Sequence, residues 1–415
     1  MKIVIRTDQN FINQYALLLV LFFDMIYGLL RGVSLFFNAP QNFAYYIFYL
    51  ISVPLFTIIS LKSMRNNQNV DAIRLILALI IVWTVAEFCW AFAARDEIAS
   101  KSITCLILTI SFCVPVFVFT LNADDYDIVI EKSTIFSVLS LIYAVVYFVG
   151  LKKGYYTSDD YMSFSYSLMI GCLFSFYRGI VLEKKLSLIF GVALFVILMS
   201  LGSRGVLVST FASAFILFLY KHNLKSFKSI ILWLICIFLL AVLILYHDKI
   251  IVSLHYLFPN SRTLSIFASD LINGKINLTN RNMYYDYFKR HASDYILFGT
   301  GILNDRYIIG QDISRVGHGE DWLGCYMHNF FLEILMQYGF ILGTIILAVF
   351  AFIFVRAFLS IKYMSASRKG IFLTFVPAIF ITYMVSGSYL HSMRFYFMLG
   401  LLIVANRSRL IPEVG

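Results

Sequence analysis

An all-α polytopic membrane protein is the fold class this chain predicts, and three observations predict it. Of 415 residues, 60% are hydrophobic and only 13% are charged, the reverse of the balance in a soluble globular domain. The apolar residues gather into about twelve runs of roughly 17 to 25, the length a helix needs to cross a hydrocarbon core. Short basic blocks separate the runs and favour alternate connections, the pattern that fixes orientation in a bilayer.

The runs begin near residues 12, 43, 73, 102, 134, 163, 186, 205, 230, 327, 371 and 393. The first, from about Phe11 to Leu30, is too long for a signal-peptide core. No small-residue cleavage pattern follows it, so it reads as a retained first span. With the amino terminus in the cytoplasm, 18 of the 33 lysines and arginines fall on that side, against seven on the other side outside the long loop. Long loops cross regardless of charge. Both termini are therefore expected in the cytoplasm and the stretch from about Asp248 to Tyr326 outside. The chain divides into nine spans over residues 1–247, a large outer loop over 248–326, and three spans over 327–415.

No large soluble catalytic domain fits in what remains, so any chemistry falls to the outer loop and the helix ends. The net charge of +10 does not point to nucleic acid, because the basic residues lie in short blocks that orient the spans. Cys89, Cys105, Cys113, Cys172, Cys236 and Cys325 have neither zinc-site nor redox-pair spacing. The seven histidines include no i, i+4 pair able to grip one metal from one helical face. Asp125-Tyr126-Asp127 has a spacing that can hold a divalent cation, but it falls on the cytoplasmic side. Asp159-Asp160 and Glu320-Asp321 fall outside, where adjacent loop acids are usually solvated. No internal repeat relates the two halves, which weakens a transporter reading.

Three outer features carry chemistry. Arg204 sits in Leu201-Gly202-Ser203-Arg204-Gly205-Val206, between two spans joined by almost no loop. A guanidinium there faces a polar cavity or a partner, since charge is costly at a membrane edge. Its planar fork suits phosphate; alternatively it snorkels or pairs with a carboxylate such as Glu87. In the loop, Asn280 to Phe288 reads as a short helix capped by Thr279 or Asn280. Arg281, Tyr284, Tyr285 and Phe288 share its i, i+3, i+4, i+7 face, which suits either the membrane surface or a pocket for a lipid diphosphate and a sugar. Phe298-Gly299-Thr300-Gly301 reads as a turn, too short for a phosphate loop.

The third feature opens the tenth span. Within Met327 to Gly339, Asn329 and Glu333 are four apart and share a helical face, whereas His328 and Glu333 diverge by about 140°. His328 is therefore expected to stand free at the outer edge, as a general base or as an ordinary capping residue. Asp24 and Glu87, placed within spans one and three, are expected to pair with Arg31, Arg204 or each other.

The order of these segments resembles the O-antigen polymerase and O-antigen ligase superfamily. The resemblance rests on Gly202-Ser203-Arg204-Gly205, on Arg281 followed by Phe298-Gly299-Thr300-Gly301, and on His328-Asn329 through Leu332-Glu333, closed by Gly339 and Gly343. It covers about residues 186 to 345; the first five spans match only in being hydrophobic. It implies a GT-C-like membrane glycosyltransferase of the bacterial inner membrane with its active site facing the periplasm. The implied donor is an undecaprenyl-diphosphate-linked glycan, with no cofactor and no metal. Arg204 and Arg281 would stabilise the departing diphosphate, and His328 would take the proton of the acceptor hydroxyl. Tyr284, Tyr285, Asn329 and Glu333 would line the substrate site. The compact versions of the motifs look more like polymerases than ligases. A ligase acting on the lipid A core and a flippase or exporter of lipid-linked sugars stay open as alternatives. A chain-length regulator and a flippase are candidate partners, beside the lipid bilayer.

Overall fold

The computed structural model describes residues 8–37, 39–67, 71, 73–79, 81, 96–156, 161–201, 203–222, 256, 281–295, 297, 299–314, 325–385, 387–390 and 392–409. Among them every regular element is a helix. Helices α1 (Gln9–Leu21) and α2 (Phe23–Phe36) meet at Phe22 with a bend of 57°. The first expected span is thus a bent pair of helices, with the geometry of a broken span or a re-entrant loop. Helix α3 covers Gln41–Asn67. Asp96–Leu108, a π-helical turn Thr109–Cys113 and Val114–Leu121 together form α4. Then come α5 (Asp127–Lys152), α6 (Tyr161–Phe176, prolonged by the turn Tyr177–Val181), α7 (Lys185–Leu201) and α8 (Arg204–Lys221). The loop over 248–326 contributes α9 (Arg281–His291) and α10 (Asn304–Ser314), and the described residues close with α11 (Phe330–Ser360), α12 (Ala366–Val385) and α13 (Met393–Ser408).

Six helical segments among the described residues are long and apolar enough to cross a membrane: Tyr46–Arg65, Lys101–Leu121, Asp127–Lys152, Tyr161–Val181, Phe330–Tyr363 and Ala366–Val385. The bent pair α1 and α2 makes a seventh if it is one span, and Lys185–Leu201 and Gly205–Lys221 are shorter apolar helices. The third expected span falls largely, and the ninth wholly, outside the described residues.

These helices are apolar all round, so hydrophobic periodicity does not say which side faces lipid. Packing does. On α3, α5, α7 and α11, large residues such as Leu50, Val145, Ile189 and Phe352 stand exposed, whereas α6, α12 and α13 fill the interior with Phe174, Phe375 and Phe397. Lipid is as apolar as leucine, so close helix contacts need small side chains and buried hydrogen bonds. On α5, Ser137 donates to the Gly171 carbonyl of α6 at 3.2 Å and Ser140 donates to the Met25 sulfur of α2 at 3.1 Å.

One end of the bundle is tied by basic residues. Arg178 donates to the Ile130 carbonyl (2.6 Å), Arg368 to that of Ala123 (3.3 Å), Lys221 to that of Val181 (3.2 Å), and Arg407 Nε to Asp71 (3.0 Å). All four belong to the set whose charge bias places them on one side. Asp125, half of the Asp-x-Asp pattern, is here too. Its Oδ1 accepts from Gln14 Nε2 (2.8 Å) and the Asp127 amide (3.2 Å), so it braces the start of α5.

Candidate functional site

At the opposite end, the loop over 248–326 is fastened to a helix break. Gly339 lies inside α11 with φ 74° and ψ 173°, which ends the first segment at Tyr338 before the long span resumes. Such a break frees helix carbonyls that a buried site must satisfy. The Thr300 amide donates to the Met336 carbonyl at 2.7 Å and the Gly301 amide to that of Gln337 at 3.0 Å. Gly299 and Gly339 face each other with φ of 70° and 74°, and a Cβ on either would run into the other's backbone. Gly299-Thr300-Gly301 is therefore a clasp, and Phe298 lies outside the described residues. Gly339→Ala and Gly299→Ala are each expected to lower the amount of folded protein recovered from membranes, since each adds a steric clash to the cost of a positive φ. Comparison with Gly154→Ala, a positive-φ glycine with open space around it, separates the clash from the backbone cost.

Beyond the clasp, α10 carries Asp305 and Arg306 into a buried polar cluster. Arg306 Nη2 donates to Glu333 Oε1 (3.3 Å) and to the Ser388 hydroxyl (2.5 Å), and Ser388 donates to the same Glu333 oxygen (2.5 Å). Gln337 Nε2 donates to Asp305 Oδ2 (3.1 Å) and lies 3.5 Å from Glu333 Oε1, while Gln337 Oε1 accepts from the Tyr389 hydroxyl (2.6 Å). Asp305 and Glu333 are fully buried and Arg306 is 3% exposed. Burial raises the Asp305 carboxyl above the usual carboxylate range, with the Arg306 guanidinium opposing that rise. This cluster joins the outer loop, α11 and the connection between α12 and α13.

His328 immediately precedes the cap of α11, with φ 50°, and so lies outside the helix. The phase angle expected between His328 and Glu333 does not apply, because His328 has no helical phase. Nor does His328 stand free: its ring lies 4.1 Å from the Tyr326 ring and 5.2 Å from that of Tyr284. The Arg306 guanidinium sits 5.2 Å over the other partner, Tyr326, so the polar cluster reaches the histidine through that ring. Asn329 is the N-cap, accepting from the Phe331 and Leu332 amides at 3.0 and 3.2 Å, and its Nδ2 donates to the Met384 carbonyl (3.2 Å). The expected common face with Glu333 is thus replaced by a cap and an ion pair pointing to different partners.

Helix α9 supplies Tyr284. It packs its Tyr284, Tyr287 and Phe288 face onto protein, against Ile309, Cys325, Met327 and Met336. That arrangement corrects the membrane-surface reading. Tyr285 is half-buried. Burial, with Cys325 beside it, pushes the Tyr284 hydroxyl up to about 12. The expected caps, Thr279 and Asn280, lie outside the described residues. Arg281 begins α9 one turn before Tyr284. Its side chain, like that of Arg204, is outside the description. Arg204 opens α8, and Ser209 further along it shares the Met169 sulfur with Thr382 (3.6 and 3.8 Å).

Thr382 belongs to the wall of a chamber of about 540 Å³. Arg31, Arg306 and Arg394 line it, as do Asp24, Tyr326 and Ser388. The chamber thus touches both the polar cluster and the tyrosine against His328. Asp24 pairs with Arg394 at 2.5 Å, a partner far along the chain instead of the expected Arg31 or Arg204. Glu87 lies outside the described residues. The sequence reading missed Arg31, Arg306 and Arg394 as site residues. The available signal was position: Arg31 and Arg394 stand at span ends on the side that the charge pattern leaves otherwise poor in basic residues, and Arg306 follows the clasp by five residues. No protein-family model matches this chain, and no curated protein matches it.

Proposed function

We propose that the protein is a polymerase of O-antigen or capsular polysaccharide, of the GT-C type, with twelve spans in the bacterial inner membrane and its site facing the periplasm. One observation chiefly supports this reading: a chamber with three arginines adjoins Tyr326, whose ring rests on His328. The acceptor is a sugar hydroxyl of a lipid-linked repeat unit. Its oxygen attacks the anomeric carbon of the growing glycan, and the bond from that carbon to the undecaprenyl diphosphate oxygen breaks with inversion. The electron pair leaves on the diphosphate, and the hydroxyl proton passes to His328.

The departing diphosphate gains charge, and guanidinium forks stabilise such charge strongly in a water-poor site. The resemblance assigns this role to Arg204 and Arg281, which open α8 and α9. Arg204→Ala and Arg281→Ala are each expected to abolish polymer formation while the protein stays in the membrane. Lysine at either position should restore activity only in part, because a point charge lacks the bidentate fork. Immunoblotting of membranes alongside the polysaccharide ladder checks both.

The distinguishing experiment is deletion of the gene. A surface glycan of one repeat unit on the core supports the polymerase. Accumulated lipid-linked polymer with bare core makes the protein a ligase, and an unchanged ladder removes both readings.

A further inference from the structure

Three charged groups are buried together where the clasp meets α11, and their charges do not cancel. Asp305 and Glu333 are fully buried and Arg306 is nearly so, which sets two carboxyls against one guanidinium. With both carboxyls ionised, the cluster would hold a surplus negative charge away from water, and such a charge is costly. The neighbours of Asp305 do not supply the missing positive charge. The titratable and charged groups that face it are Arg306 on its own helix, Glu333 and Tyr338 on α11, and Tyr389 on the connection between α12 and α13. Around the guanidinium lie Cys105 of α4 and the Tyr326 ring. Arg306 is the one cation among these groups.

The hydrogen bonds fall on one oxygen of each carboxyl. Glu333 Oε1 accepts from Arg306 and Ser388, and Asp305 Oδ2 accepts from Gln337. The other two oxygens, Asp305 Oδ1 and Glu333 Oε2, are buried without a hydrogen-bond partner. A carboxylate can only accept, whereas a protonated carboxyl also donates. One proton would therefore remove the surplus charge and turn one of the two unanswered acceptors into a donor. A hard metal cation in its place would want about six oxygen ligands. Gln337 Oε1 is already taken by the Tyr389 hydroxyl, so the cluster offers too few. The charged donor lies on Glu333 and the neutral amide of Gln337 on Asp305, which places the proton on Asp305. Burial pushes that carboxyl up to about 7, opposed by the Arg306 guanidinium and reinforced by Glu333.

We infer that Asp305 is a proton-binding site whose proton fastens α10, and with it the loop over 248–326, to α11 and to the connection between α12 and α13. The proton comes from water and no glycan is involved, so the site stands whether or not the protein transfers sugars. A carboxyl raised on folding from its ordinary value of about 4 contributes stability that is present at low pH and lost as pH rises through about 7. Docking of the loop should weaken over that window.

Hydrogen exchange on the purified full-length protein in detergent, corrected for the intrinsic rate, reads this directly at pH 6 and pH 8.5. Amides of α10 should be about tenfold better protected at pH 6, the effect of standing one unit below the folded value. Asp305→Asn, which mimics the protonated carboxyl, should hold the higher protection at both pH values. Infrared spectra should show a protonated-carboxyl band at pH 6 that weakens by pH 8.5 and is missing from the asparagine variant. Should that variant fail to fold, the wild type decides through its own exchange and infrared profiles. Equal protection at the two pH values, or a loss with pH that persists in Asp305→Asn, overturns the site. So does protection restored to the wild type at pH 8.5 by sodium or calcium chloride but not by choline chloride of the same ionic strength, which would make the cluster a cation site.

Discussion

Replacing His328 with alanine is expected to reduce polymer formation by about 10²- to 10⁴-fold, the usual contribution of a positioned general base. That range corresponds to about 3 to 5 kcal/mol of barrier. A sugar hydroxyl is a poor nucleophile at neutral pH, and His328 is the titratable ring set against the chamber wall, between Tyr326 and Tyr284. Donor binding, assigned to arginines, should largely survive. Turnover of purified protein against pH separates the two effects: the wild type should show a titrating base that the alanine variant lacks. Retained turnover in His328→Ala would move the base elsewhere, first to the acids of the outer loop.

Arg306→Ala should produce the largest loss of stability. It leaves Glu333, fully buried, without the guanidinium 3.3 Å away. Removing one partner of a buried pair typically costs about 3 to 5 kcal/mol, because the remaining charge has no water to turn to. The variant should show a lower thermal midpoint in detergent and reduced levels in membranes. The neutral pair Arg306→Met with Glu333→Gln should recover most of the loss, since the cost comes chiefly from the orphaned charge. Midpoints by fluorescence-detected size exclusion for the two single variants and the double variant test this. A double variant no better than Arg306→Ala would show that packing, and not charge, dominates.

Much of the frame was legible because a bilayer imposes a simple rule: long apolar runs become helices, and basic residues sort their ends. Arg281 does begin a helix, as the spacing in the loop predicts, but the contact of its Tyr284 with His328 is one that no spacing encodes. What could not be read were relations set by breaks and distant contacts. Gly339 halts α11 within a sequence that otherwise reads as continuous helix, and only the docked amides of Thr300 and Gly301 reveal why the break is tolerated. The His328 phase argument failed at the same point in physics. A residue before an N-cap does not follow the 3.6-residue period, so its direction is set by a positive φ and by neighbouring rings. The partnership of Asp24 with Arg394 spans nearly the whole chain, and no local pattern encodes it.

The central claim is that this chain lengthens a lipid-linked glycan with its own side chains. The most direct measurement reconstitutes the purified protein in liposomes with a lipid-linked repeat unit and a chelator, then follows glycan length and release of undecaprenyl diphosphate. The account predicts that longer glycans and free undecaprenyl diphosphate appear together in the presence of the chelator, and that both vanish with His328→Ala. Glycan that does not lengthen, or that lengthens only when divalent cation is restored, would contradict it.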